Sequence, residues 1–337
     1  MKKVLMIGTG GTIACEATSG GLAPVLSSKQ LLRHIPSINA FCEVECVQVC
    51  NIDSTNISPS HWLDIAKIIR DNYDSFDGFV VCHGTDTMAY SAAALSYLIQ
   101  GLTKPIIITG SQKPINDESS DSKKNLFDSF ICASSDTLCG VYIVFSGKVI
   151  LGTRARKTRT KSFNAFNSIN YPYIAVVQDG CLMQYIPQTH GDGPVFFDAL
   201  GTKVALLKLI PGINSDLLRY LLKQNDIVII ESYGVGGVPS MEPYRFYEII
   251  NGAASEGKTV VITTQVQNEG SDISVYKVGH SLKEKPGVIE AYDMTTESLV
   301  TKLMWILGRT KDPAEINRLF YAPVACDILY TGEGYRM

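Results

Sequence analysis

The chain has 337 residues, enough for two domains of ordinary size. Its hydrophobic content of 45% and charged content of 19% are those of a globular protein and exclude a disordered or fibrous one. A formal net charge of −3 argues against nucleic acid as a main partner, and no apolar run approaches the ~18 residues of a membrane span.

Residues 4–7 (VLMI) form an apolar run without alternation, as in a strand buried on both faces. Gly8, Gly10 and Gly11 end it and permit a sharp turn, with Thr12 just beyond. Lys2, Lys3 and Ala14 imitate parts of a signal peptide. The apolar run falls short of the ~7–15 residues of an h-region, so the segment reads as mature structure. Ser27 and Ser28 precede a short helix at 30–34. CEVECVQVC (42–50) reads as a strand with Cys42, Cys46 and Cys50 on one face. None of the nine cysteines forms a CxxC pair, so buried thiols in a reducing cytoplasm fit better than a zinc cluster.

Ser58-Pro59 opens a helix with Trp62, Ile65, Ile68 and Ile69 on one face. Strands at 79–82, 105–109 and 141–145 alternate with helices at 89–99 and 125–133. This βαβα order predicts an α/β fold, a parallel sheet with helices on both faces. After a strand at 174–177 the pattern weakens. Residues 183–203 hold two Pro and three Gly without a period and read as a linker. The expected division is therefore 1–182, a linker at 183–203, and a second α/β domain at 204–337. The second domain has strands at 204–210, 227–230 and 259–263. Its helices fall at 214–224 (capped by Asn214 or Ser215), 243–255 and 295–307.

Ligands of open parallel sheets bind past the carboxyl ends of the strands, which directs attention to GTGGT and HGTDTM. Thr12 is a nucleophile only if its proton is removed, and the alternative is a helix-capping threonine. A dinucleotide fingerprint fails here, because Ile13 takes the third glycine's place and Gln30 and Leu31 stand where an acid is expected. Thr85 and Asp86 add a hydroxyl and a carboxylate at the second strand end. His83, directly after the strand, reads as turn structure ahead of a general base. Asp53 and Ser54 suit the charged ends of an amino acid, or equally a turn or cap. The run 153–161 carries five basic residues, mostly a solvated loop, in which one lysine folded back among hydroxyls would serve as a base.

Together these stretches resemble the bacterial-type L-asparaginase family, and its cytoplasmic type I branch in particular. MIGTGGTIA (6–14) fits the family's first signature and GFVVCHGTDTM (78–88) its second; ITGSQKP (108–114), SYGVGGVP and YDMTTESLVTKL (292–303) read like it as well. The resemblance implies a two-domain α/β fold, with a larger N-terminal domain on a mostly parallel sheet flanked by helices and a smaller C-terminal α/β domain, and hydrolysis of L-asparagine to L-aspartate and ammonia without metal or cofactor. It gives Thr12 the part of nucleophile and makes Thr85, Asp86 and Lys157 the second catalytic group. Asp53, Ser54 and Asp86 would bind the substrate's α-groups, with Tyr292 a candidate contribution from a neighbouring protomer of a homodimer or homotetramer. Two departures stand out: Leu22 lies where many members carry a tyrosine that assists the nucleophile, and Val266 follows Thr264-Gln265 where some type I enzymes have an allosteric cysteine. The alternatives are a glutaminase-asparaginase, an amidase acting on a tRNA-linked amide, which the short N-terminus disfavours, and a non-catalytic amino-acid-binding protein.

Overall fold

The computed structural model describes residues 1–275, 277–283, 285 and 287–329. The chain divides into two compact units, Met1–Asp198 and Ala199–Met337. The first is built on an 8-stranded sheet. In spatial order its strands are Cys181–Gln184, Ala175–Gln178, Lys148–Leu151, Gly140–Phe145, Pro105–Thr109, Gly78–Cys82, Lys2–Gly10 and Cys42–Ile52. The last five run parallel and the first three each pair antiparallel with their neighbours, so the sheet is mixed and mostly parallel, as expected. Gly78–Cys82 and Pro105–Thr109 are buried throughout, which is why they read as unbroken apolar runs. Cys42–Ile52 lies at the sheet edge and keeps Glu43, Glu45 and Gln48 exposed, side chains that discourage further strand pairing.

Helix Pro59–Asn72 starts at Ser58, whose hydroxyl and backbone N–H both meet His61 Nδ1, at 2.8 and 3.1 Å. It buries Trp62, Ile65 and Ile69 on the face that the apolar spacing marks. Helix Met88–Leu98 is buried on nearly every side and begins immediately after the HGTDT turn. The segment expected as a linker is largely fastened to the first unit. Its Val195–Phe196 pairs antiparallel with Ile99–Gln100, and Phe196 meets Tyr73 edge-on with ring centroids 5.9 Å apart. A two-residue pairing has no period to detect, which is why composition alone marked this segment as a connection.

The second unit has a 4-stranded parallel sheet in the order Val204–Lys208, Ile227–Ser232, Thr259–Thr264, Val288–Glu290. Its core joins Val228, Ile230, Val260 and Ile262 of the sheet to Leu218, Phe246 and Ile250 of its helices. Helix Thr296–Leu307 is capped by the Thr295 hydroxyl, which accepts from the Ser298 N–H at 3.1 Å. Deep inside lies an ion pair, Lys302 Nζ to Asp327 Oδ2 at 2.6 Å, with both side chains 0% exposed. Burial pulls the Lys302 pKa down, opposed by the Asp327 charge. Lys302 also donates to the Ala322 carbonyl at 3.0 Å and so pins the chain that follows helix Pro313–Tyr321. Among the described residues no helix is long and apolar enough to cross a membrane, and no group of His, Cys, Asp or Glu has the arrangement of a metal site.

Removing one member of a buried pair strands the other charge. Lys302→Met is expected to destabilise the protein by about 3–5 kcal/mol, and Lys302→Met with Asp327→Leu to recover most of it. Urea unfolding of the three proteins checks this; equal losses in the single and double variants would contradict it.

Candidate active site

Four neighbouring parallel strands of the first unit end at one edge of its sheet: Cys42–Ile52, Lys2–Gly10, Gly78–Cys82 and Pro105–Thr109. The residues leaving these ends are Asp53 and Ser54, Thr12, Thr85 and Asp86, and Gln112 in turn. The first turn is shaped by glycine. Gly10 and Gly11 take φ of 101° and 79°, a region side chains disfavour. The Gly11 N–H donates to the Ile52 carbonyl at 3.0 Å, tying this turn to the one that carries Asp53. A Cβ on Gly11 would fall 2.3 Å from Gly84 Cα and 2.4 Å from Gly84 N. The two motif turns therefore meet backbone to backbone. Thr12, half-buried, opens a single 3-10 turn, Thr12–Ala14, whose cap position is Gly11, so the capping role open to Thr12 on sequence is not the one it occupies.

Asp53 caps the turn Ser54–Asn56 through an acceptance from the Thr55 N–H at 2.9 Å. Ser54 is 4% exposed and lies so close to Gly84 that a Cβ there would sit 2.6 Å from its Oγ. The Thr87 hydroxyl donates to the Ser54 carbonyl at 2.8 Å and closes the ring of turns. Lys157 arrives on the hairpin Ala155–Lys157 with Phe166–Ser168. Its Nζ donates to Thr85 Oγ1 at 2.7 Å and to Asp86 Oδ1 at 2.6 Å. The lysine side chain is 17% exposed and the Asp86 carboxylate 57%, so this cluster opens to solvent on the aspartate side.

His83 is fully buried and belongs to a structural chain. Trp62 Nε1–H donates to Ser91 Oγ at 2.8 Å, Ser91 O–H donates to His83 Nε2 at 2.8 Å, and His83 Nδ1–H donates to the Gly84 carbonyl at 2.7 Å. A carbonyl only accepts, which assigns the proton to Nδ1. Burial lowers the His83 pKa to about 4, keeping the ring neutral. This is the turn-forming role expected of it.

Tyr292 belongs to the second unit. It is 3% exposed, with its ring centroid 6.2 Å from that of Tyr321 and its carbonyl accepting from the Ser271 N–H at 3.0 Å. Leu22 sits on the hairpin formed by Cys15–Thr18 and Gly21–Pro24, opposite Ala17, and is 59% exposed. Gln112 was missed on sequence. Its Oε1 lies 3.4 Å from Thr85 Oγ1, and the available signal was its place at the end of a strand next to Gly78–Cys82.

Residues 3–188 match the family model for the asparaginase N-terminal domain, and residues 203–320 that for the glutaminase/asparaginase C-terminal domain. The chain belongs to the asparaginase family. The L-asparaginase of Thermococcus kodakarensis is 38% identical over 97% of this chain and 99% of its own. Its solved structure superposes with a TM-score of 0.91, covering 98% of this chain and all of that one at 37% identity. L-asparaginase 1 of Escherichia coli is 33% identical over 94% of this chain and 95% of its own. A glutamyl-tRNA(Gln) amidotransferase component from Pyrococcus horikoshii is 35% identical over 96% of this chain and 76% of its own length. The asparaginase fold, with a larger mixed-sheet unit and a smaller parallel one, is thus the one built here.

Two outcomes follow for the family's turns as this chain builds them. Gly11→Ala forces Cβ into the Gly84 backbone and is expected to cost on the order of 3 kcal/mol, whereas Gly20→Ala, with nothing within 4 Å, is neutral. Thermal melts of both variants compare them directly. For His83, a folded pKa below the unfolded 6.5 means the unfolded chain binds the extra proton first. Its contribution is complete above pH 6.5 and is lost as pH falls toward 4, by about 3 kcal/mol. Urea midpoints across that window should fall more steeply for the parent than for His83→Gln.

Proposed function

We propose that this chain is an L-asparagine amidohydrolase working through a threonine nucleophile and an acyl-enzyme. The observation that carries the reading is the Lys157 ammonium hydrogen-bonded to both Thr85 and Asp86, beside a turn that presents Thr12. Thr12 Oγ attacks the side-chain amide carbon, ammonia leaves, and water releases aspartate from the threonine ester. Thr85 handles the protons: a hydroxyl held against a cation gives up its own proton more readily, because the positive charge favours the oxyanion. Asp86, open to solvent, and Asp53 suit the α-ammonium group, and the Ser54 hydroxyl donates to the α-carboxylate. Tyr292, buried in its own unit, has no part in this scheme.

The same reading has the chain working in the cytoplasm on a small-molecule substrate, as a homodimer or homotetramer. Among the described residues no two cysteines are joined, which suits a reducing compartment. A broader amidase, acting on glutamine or a tRNA-linked amide, is the second reading, favoured by the 35% identity to the amidotransferase component.

Ammonia release from asparagine and from glutamine at millimolar concentration separates these. The parent should turn over asparagine well ahead of glutamine. Thr12→Ala and Thr85→Ala should each lose roughly a thousandfold or more in kcat. Near-parental activity in either variant removes that residue from the mechanism, equal turnover of both amides supports the broader amidase, and no ammonia from either overturns the asparaginase reading and leaves a tRNA-linked amide or an amino-acid-binding protein.

A further inference from the structure

Thr85 has one proton and two lone pairs. One lone pair accepts from Lys157 Nζ at 2.7 Å, so the hydroxyl proton must point elsewhere. Among the described residues its acceptor is Gln112 Oε1, at 3.4 Å. That distance makes a weak bond as it stands, of the kind that tightens when a site closes on its substrate. Gln112 itself is held at three points. Its Nε2 donates to the Ser162 carbonyl at 3.1 Å, which turns Oε1 toward Thr85. Its backbone N–H donates to both Asp121 carboxylate oxygens, at 3.0 and 3.1 Å. The Lys113 N–H reaches the same carboxylate at 3.3 Å, and Asn125 Nδ2 at 3.1 Å. Asn125 in turn donates to the Gly110 carbonyl at 3.0 Å, so the entire strand-end turn at 110–113 is tied to helix Ser122–Ala133.

We propose that Gln112 is a positioning residue for the reaction: it takes the Thr85 proton to one side and leaves a Thr85 lone pair facing the substrate. The inference rests on the amidohydrolase reading of Thr85. Gln112 is placed for this because Ser162 belongs to the exposed loop of the Lys157 hairpin, between Ala155–Lys157 and Phe166–Ser168. The side chain thus spans from the strand end to the element that supplies the lysine, and it keeps Thr85 and Lys157 in register. Its amide offers an acceptor without charge. A neutral acceptor orients the hydroxyl without opposing the loss of its proton, as a carboxylate in the same place would.

The test compares Gln112→Leu and Gln112→Glu with the parent on asparagine. Gln112→Leu removes the acceptor and should lower kcat about tenfold, the worth of one oriented hydrogen bond, with KM changed less than about twofold and the melting temperature unchanged. Gln112→Glu keeps an acceptor but adds the opposing charge and loses the donor to the Ser162 carbonyl. Its kcat should also fall below the parent's and recover relative to the parent as the pH is lowered and the carboxyl becomes neutral. Parental kcat in Gln112→Leu overturns the proposal. So does a loss in both variants that follows a lowered melting temperature, which would make Gln112 scaffold alone. Thr85→Ala serves as the control: if it stays active, the reading of Thr85 has failed and this inference with it, whereas an inactive Thr85→Ala beside a normal Gln112→Leu discards the role of Gln112 only.

Discussion

The contact on which the site depends is between two glycines. Gly11 and Gly84 approach so closely that a single methyl group on Gly11 would overlap backbone atoms of the other turn. Neither turn can take its shape alone. The first bends through positive φ at Gly10 and Gly11 and is anchored to Ile52; the second is held by the His83 bond to the Gly84 carbonyl. Because three adjacent parallel strands feed these turns, the separation of their hydroxyls is set by strand spacing and backbone contact rather than by flexible side chains.

Around that contact the polar groups divide by exposure. The His83, Ser91 and Trp62 chain is sealed from solvent, satisfied at each link, and neutral, so it stiffens the turn without titrating above acidic pH. The Lys157, Thr85 and Asp86 cluster is charged and open on one side. A buried cation is costly, and Lys157 avoids most of that cost by ending against a solvent-facing carboxylate. It also arrives on a short hairpin rather than on the sheet, which lets the Ser162 loop, and through it Gln112, bear on where the lysine sits.

Most of the fold was legible because buried parallel strands and amphipathic helices carry periods, as Trp62, Ile65 and Ile69 did. Lys148–Leu151, the Lys157 hairpin and the Val195–Phe196 pairing, of two to four residues each, were too short to show one and escaped. Helix Pro313–Tyr321 is a different case. Its Asp312-Pro313 start, with Asp312 accepting from the Glu315 N–H at 3.1 Å, is a capping signal plain in the sequence that apolar spacing alone overlooked. Thr12, Thr85 and Asp86 were legible as strand-end residues, but which lysine of 153–161 folds back is a tertiary fact, and the resemblance alone singled out Lys157. Gln112 carried no such mark, since an amide beside a glycine turn reads as a loop until its neighbours are known.

The second unit shows why strand-end chemistry does not follow from fold alone. It too is an open parallel sheet with polar residues at its carboxyl edge: Glu231, Thr264, Gln265 and Thr296. There, however, the side chains are spent on the scaffold. Gln265 Nε2 donates to the Leu209 and Glu231 carbonyls at 2.7 and 3.0 Å, the Thr264 hydroxyl donates to the Gly234 carbonyl at 2.5 Å, and the Thr296 hydroxyl donates to Glu231 Oε1 at 2.8 Å. Both sheets obey the same rule about where polar groups gather. In the first, the turns at Gly11 and Gly84 meet through backbone atoms, and the Asp86 carboxylate keeps a side open to solvent.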